Sequence, residues 1–365
     1  MKIKQVDVFM IDLKPKSVRS DAIQSFVSQE TPIVKITTDN DYVGIGYSYT
    51  IGTGGSSIIA MLCDHLAPRL IGRDPCMIES IWHDLMFATH ATMVGPVTTL
   101  ALCAIDTALW DIKCKMMNLP LHKAAGGAKE KIAVYSTEGG WLHLSIDELV
   151  KNAVKDREDG FAGSKFKLGA SPAEDAKRLK AVREAVGDDY AIMTDCNQAF
   201  SMTEMRQRAA LLEPVFPAWI EEPFPADDVD SHAHLCASTN IPIAAGESIY
   251  SLTQFKEYLQ ARAVDIVQVD VGRIGGITPW LKVAHLAEAF NKQVCPHFLM
   301  ELHVSLCCAV TNSRWLEYIP QLDLLLTDKI KVENGSAYAP ISCDLGIAWD
   351  WEKVESSALC HRVFK

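Results

Sequence analysis

The sequence predicts an α/β protein: a (β/α)8-type TIM barrel with an α+β N-terminal capping domain that the C-terminal tail completes. Three observations predict it. From Lys131 onward, short apolar runs alternate with amphipathic segments through eight repeats. Ahead of them, strand patterns and then helical patterns are segregated rather than interleaved, as in an α+β unit. Finally, an ionisable residue closes seven successive apolar runs, at intervals of 20 to 28 residues, about one βα unit each. The competing topology, an open doubly wound sheet, would carry a glycine-rich phosphate fingerprint after its first strand, and none stands there.

The elements follow in order. Residues 2–14 alternate as a strand, and Thr31–Thr38 and Tyr42–Tyr49 flank the turn Asp39-Asn40-Asp41. Helical patterns run over Ser56–Leu70, Cys76–Ala88 and Val97–Met117, the last stopped by Asn118-Leu119-Pro120. Gly126-Gly127 marks the boundary between a capping domain (1–127) and a barrel (128–322). The barrel strands are expected at Ile132–Ser136, Ser164–Leu168, Ala191–Thr194, Ala218–Ile220, Ile241–Ala244, Ile266–Val269, Gln293–Cys295 and Trp315–Leu316. Amphipathic helices such as Pro172–Val186, Met202–Leu212, Leu252–Ala261 and Pro279–Phe290 separate them. The tail, 323–365, shows strand and turn signals without an evident helix and is expected to return to the capping domain.

Bulk composition narrows the function. The chain has 365 residues, 48% hydrophobic and 22% charged, with a formal net charge of −11. That charge, with no basic run to offset it, argues against nucleic acid or an anionic membrane as partner. Residues 1–14, interrupted by Gln5, Asp7 and Asp12, do not read as a secretory signal, and Asp106 breaks the apolar run Leu100–Trp110. Eleven cysteines without a Cys-x-x-Cys pair fit a reducing compartment, so a cytoplasmic protein is expected.

Lys165-Phe166-Lys167 organises the chemistry. Residues two apart on a strand share a face, so both ammonium groups leave one side of a strand that should be buried on both faces. Buried lysines need concentrated negative charge nearby. Asp195, Glu221 and Glu247 supply it, each at the end of an apolar run. In barrels of this kind, catalytic groups sit where strands end. Three converging carboxylates would repel one another unless a divalent cation sits among them. All-oxygen ligation selects Mg2+ first and Mn2+ second, and the lack of Cys or His argues against zinc. Such a cation beside lysines favours an anionic substrate and polarises a carboxylate, which suits removal of the adjacent proton. Lys167 is then the expected base, its pKa depressed by Lys165 and the metal. Asp270 and His297, ending the sixth and seventh runs, form an Asp-His dyad facing it. Glu317, ending the eighth, is expected to hydrogen-bond the far carboxylate oxygen if protonated.

These residues resemble the enolase superfamily, in particular its mandelate racemase subgroup. The matching pieces are Lys165-Phe166-Lys167, Asp195-Cys196-Asn197-Gln198, Glu221-Glu222-Pro223, Gly246-Glu247-Ser248, Asp270, Pro296-His297-Phe298 and Trp315-Leu316-Glu317. The pairing of a Lys or His base with Mg2+ is a general property of enolase-superfamily sites. The resemblance implies Mg2+ on Asp195, Glu221 and Glu247, with Lys167 and His297–Asp270 as opposed acid-base catalysts. It also implies Lys165, Asn197 and Glu317 as stabilisers of an enediolate, and Asn197, Thr137 and Tyr47 in substrate contact. Two mobile loops of the capping domain, roughly Pro15–Glu30 and Thr50–Ser57, should choose the substrate, and members assemble as homo-oligomers, commonly octamers.

Within the subgroup, Gly44-Ile45-Gly46-Tyr47-Ser48-Tyr49, Gly139-Gly140-Trp141-Leu142-His143 and Pro296 to His303 are similar to the acid-sugar dehydratases of the L-talarate/galactarate type. The chain departs from that pattern after Tyr49. Thr50-Ile51-Gly52-Thr53 replaces cationic residues, leaving Lys14, Lys16 or Arg19 to meet a second substrate carboxylate. Diacid, monoacid sugar and other hydroxy acids thus stay open. The expected partner is a small carboxylate, and the expected reaction is dehydration to a 2-keto-3-deoxy acid. The alternative is racemisation or epimerisation by the same lysine and histidine. Schiff-base chemistry at Lys167 would leave the carboxylates idle, and a non-catalytic binding protein should have lost a ligand or base.

Overall fold

The computed structural model describes residues 1–15 and 17–365, so Lys16 lies outside the described residues. The N-terminal sheet is antiparallel, in the spatial order Cys360–Phe364, Ile3–Leu13, Gln29–Thr38, Val43–Tyr47. Its long central pair is in register at Val8↔Val34, and the alternating apolar residues of both strands face the core. The helix Pro96–Met117 covers it, buried along most of its length. It lies very close to the sheet. A Cβ at Gly46 would stand 2.2 Å from Thr107 Oγ1 and 2.3 Å from Ala104 O, so only glycine admits this approach. Asp111 on the same helix accepts from Ile45 N at 2.9 Å, pinning the hairpin to it.

The segment expected as one helix over Ser56–Leu70 is broken. It runs α-helical over Gly55–Ala60, loosens to a π-helical turn over Met61–Leu66 and tightens to a 3-10 turn over Ala67–Leu70. Pro68 has no amide hydrogen to continue an α-helical ladder, which accounts for the change at its end.

The barrel is formed by eight parallel strands: Lys131–Ser136, Gly163–Lys167, Ala191–Asp195, Trp219–Glu221, Ile243–Ala245, Ile266–Val267, Gln293–Val294 and Trp315–Tyr318. The eighth pairs with the first, and a bridge between Val294 and Ser313 joins seventh to eighth, closing the cylinder. Registers Lys167↔Asp195 and Asp195↔Glu221 set these three side chains level across adjacent strands. The helices Pro172–Val186 and Met202–Leu212 match the expected limits, each opened by a serine (Ser171, Ser201) that accepts an amide hydrogen of the first turn.

The tail divides its pairing. Val332–Glu333 and Ser336–Tyr338 form a hairpin on the first barrel strand, and Cys360–Phe364 joins Ile3–Leu13. It also contains a helix that the sequence reading does not anticipate, Trp351–Ser357, started by Asp350 accepting from Lys353 N. At seven residues it is too short to show an amphipathic period. Every one of the eleven cysteines is free. Among the described residues, no helix is long and apolar enough to cross a membrane.

Candidate active site

The strand ends converge. Asp195, Glu221 and Glu247 each offer a carboxylate oxygen within 4.8 Å of the others, and all three residues are buried. Such a buried set of hard oxygen donors fits a divalent cation of the Mg2+ type, since without compensation the charges repel. Burial, and then Asp195 against the opposing pull of Lys165, push the Glu221 carboxyl up to about 7.

The chain leaves the strands through strained turns. Asn197, Gln198, Glu222, Phe298 and Leu299 all have positive φ between 29° and 64°. Such backbone costs energy and persists where surrounding structure enforces it, characteristically at functional sites. Here it turns the chain sharply after Asp195, Glu221 and His297, so that these side chains stay at the barrel mouth.

Lys165 is fully enclosed by acids. Its Nζ lies 2.6 Å from Glu317 Oε1, 2.9 Å from Glu221 Oε1 and 3.6 Å from Asp195 Oδ2. Burial opposes its charge, but these carboxylates prevail and hold the ammonium well above its ordinary value. Lys167 Nζ lies 2.5 Å from Asp195 Oδ2. Its pKa is therefore raised, with burial opposing and Asp195 deciding the direction, whereas the sequence reading expects it depressed. That expectation weighs Lys165 and a cation; in this structure the Asp195 contact outweighs Lys165. Glu317 likewise departs from expectation. Rather than a protonated donor it is an ionised acceptor, taking hydrogen bonds from Thr137 Oγ1 at 2.8 Å and Phe298 N at 2.8 Å. Burial resists this charge, yet Lys165 and His297 hold the carboxyl far below its usual range.

Across the mouth, His297 Nδ1 lies 2.7 Å from Asp270 Oδ2, and its Nε2 is 3.4 Å from Glu247 Oε2. Burial opposes protonation, but Glu247 and Asp270 raise the imidazole to about 9. Asp270 is saturated, since its Oδ1 accepts from Gly272 N at 2.7 Å and Arg273 N at 3.1 Å. His303, left unassigned by the sequence reading, ties the loops bearing this dyad together. Its Nδ1 contacts Phe298 O at 2.7 Å, and its Nε2 accepts from Val271 N at 3.1 Å. Burial lowers it to about 4, so it stays neutral and able to accept.

Of the residues assigned to substrate contact, Thr137 is engaged with Glu317, and Asn197 stands at the mouth with its side-chain oxygen buried and unpartnered. Tyr47 is not brought into the cluster. Its hydroxyl donates to Glu301 Oε2 at 3.0 Å and its ring packs on Trp349. Tyr49 reaches the site instead, donating to Asp270 Oδ2 at 2.5 Å. Tyr47 and Tyr49 are two residues apart and share a strand parity, so alternation alone does not choose between them.

The capping domain closes the other side. Residues Arg19–Ser20 and Ser25–Phe26 form a small hairpin docked on the barrel, with Arg19 bonded to Glu138 and, at 2.5 Å, to Gln321 Oε1. Trp141 lies under it, its ring 6.2 Å from that of Phe26 and 5.4 Å from Lys167 Nζ. Gly140 makes this possible, for a Cβ there would stand 1.8 Å from Lys165 O. A cavity of about 350 Å³, lined by Gln24, Thr50, Thr53, Tyr49, Tyr250 and Arg273, lies between the loops and the barrel.

Known proteins share this architecture. Residues 5–126 match the mandelate racemase / muconate lactonizing enzyme N-terminal domain, and residues 148–354 match the enolase C-terminal domain-like family. The L-talarate/galactarate dehydratase of Salmonella typhimurium is 37% identical over 304 residues, 83% of this chain and 76% of the relative. Its crystal structure liganded with Mg and L-lyxarohydroxamate superposes with a TM-score of 0.95 at 33% identity, covering 100% of this chain and 94% of that one. Arabinonate dehydratase of Saccharolobus solfataricus is 32% identical, covering 89% of this chain and 90% of the relative. The 3,6-anhydro-alpha-L-galactonate cycloisomerase of Streptomyces coelicolor is 31% identical, covering 96% and 97%. With both domains matched and acid-sugar dehydratases among its relatives, the chain belongs to the mandelate racemase subgroup of the enolase superfamily.

Proposed function

We propose that this protein is a Mg2+-dependent acid-sugar dehydratase, a lyase that converts an aldonate or aldarate to a 2-keto-3-deoxy acid. One observation carries the reading: a lysine and an Asp-His dyad each touch a member of one three-carboxylate cluster, Lys167 at Asp195 and His297 at Glu247. When bound to Asp195, Glu221 and Glu247, Mg2+ supplies a Lewis acid for the substrate carboxylate and positive charge that competes with Lys167 for Asp195.

Lys167, as the neutral amine, takes the proton from the carbon next to the carboxylate. The ammonium of Lys165 lies beside it and counters the negative charge that develops there. His297, held protonated by Asp270 and Glu247, donates from Nε2 to the departing β-hydroxyl. The C–H and C–O bonds break, water leaves with the imidazole's proton, and the enol relaxes to the ketone. Trp141 and the Arg19 hairpin cover one side of the mouth, which limits the access of bulk water. Because Arg19 is already paired with Glu138, it does not present a free cation to a second carboxylate.

The test is a panel of aldonates and aldarates with Mg2+-loaded protein, scored for 2-keto product with semicarbazide. Ketone that vanishes with chelator supports the reading. Exchange of the α-proton in D2O without ketone would replace it with epimerisation.

A further inference from the structure

We infer that Tyr49, contributed by the capping domain, is the positioning residue that aims His297 into the site. Five side chains close a ring. Tyr49 donates to Asp270 Oδ2 at 2.5 Å, and Asp270 Oδ2 meets His297 Nδ1 at 2.7 Å. His297 Nε2 is 3.4 Å from Glu247 Oε2, Glu247 Oε1 is 3.6 Å from an Arg273 terminal nitrogen, and Arg273 Nε donates back to the Tyr49 oxygen at 3.2 Å. The Arg273 bond occupies the acceptor side of the phenol, so its own O–H points at Asp270. Burial, against the opposing charge of Arg273, holds the phenol well above its ordinary value, and the donor proton stays in place.

The contact removes a freedom the barrel cannot remove alone. Backbone amides fix Asp270 Oδ1, but Oδ2 carries the histidine, and among the described residues only the tyrosine adds a second bond to that oxygen. The Tyr49 ring also lies edge-on against Phe298 with centroids 4.7 Å apart, packed on the residue after the histidine. A group from one domain thus orients the proton donor of the other, and the acid is aligned only with the cap seated.

The kinetic arm of the test rests on the dehydratase reading; a second arm does not. Tyr49→Phe keeps the ring on Phe298 and removes the hydroxyl. In the Mg2+-loaded protein, kcat for ketone formation should fall about 10- to 100-fold with KM within about twofold. Exchange of the α-proton in D2O, the work of Lys167, should fall by less than about threefold, since misalignment affects the His297 side alone. A parallel fall in both, or no fall in kcat, overturns the assignment. Without any substrate, the rate of carbethoxylation of His297 by diethyl pyrocarbonate, followed by peptide mass spectrometry, should change several-fold in Tyr49→Phe, because the Asp270 oxygen that holds the imidazole loses its second bond. An unchanged rate overturns it equally. Failure of every acid sugar with the parent protein would sink the dehydratase reading and leave this second arm decisive.

Discussion

Lys167 Nζ lies 2.5 Å from Oδ2 of Asp195, so the ammonium of the candidate base and a cation bound by that residue would draw on one carboxylate. The two positive charges compete for it. Lys167→Ala should therefore abolish ketone formation, by about a thousandfold or more, while leaving Mg2+ affinity equal or tighter. Isothermal titration beside the semicarbazide assay checks both. Weaker Mg2+ binding in the variant would mean that Lys167 supports the site rather than competing in it.

The three-carboxylate cluster should make stability depend on the cation. Ligand that binds only the folded chain adds about 2.7 kcal/mol at a hundredfold excess over Kd, so Mg2+ should raise the melting temperature by several degrees. Glu221→Gln should lose most of that rise and the activity with it. An equal rise in the variant would show that Mg2+ acts elsewhere.

Glu301 offers a pH test away from the cluster. Its carboxyl is buried, accepts from the Tyr47 hydroxyl, and is pushed up to about 7, chiefly by burial. An unfolded glutamate ionises near 4.3. Between those values the folded form retains a proton that the unfolded form has lost, so its contribution to stability is full at low pH and lost as pH rises through about 7. Glu301→Gln should flatten the fall in urea midpoint between pH 5 and 8. The effect is on the order of a few kcal/mol at the upper end. Identical slopes in parent and variant would refute it.

Arg19 anchors the hairpin over the mouth through Glu138 and Gln321. Arg19→Ala should release it, raising KM at least about tenfold while kcat for saturating acid sugar falls less. If KM stays put, the hairpin is no part of the substrate enclosure.

Much of the site was legible because a barrel repeats. Lys167, Asp195, Glu221, Asp270, His297 and Glu317 all follow short apolar runs at one-unit spacing, and the closed cylinder then brings their ends together. What escaped depends on tertiary contact. Tyr49 and Arg273 meet across the domain boundary, and no spacing within one element encodes that bond. Charge states escaped too. The ionisation of Glu317 follows from the 2.6 Å approach of the Lys165 ammonium, a contact that strand spacing does not encode. The helix Trp351–Ser357 was hidden by its shortness, and the break at Pro68 by an apolar pattern that ran on past it.

The pairing of Cys360–Phe364 with Ile3–Leu13 has a consequence for biogenesis. Val6 pairs with Phe364, so Ile3–Leu13 waits for a strand made after the whole barrel before this edge is covered. On the ribosome the barrel's local βα units can assemble early, whereas this contact spans the whole barrel in sequence. Until it forms, a nascent chain carries an open strand edge able to recruit the wrong neighbour. The cap sheet is thus begun before the barrel is synthesised and sealed after it, and deletion of Cys360–Phe364 should show itself as aggregation during expression.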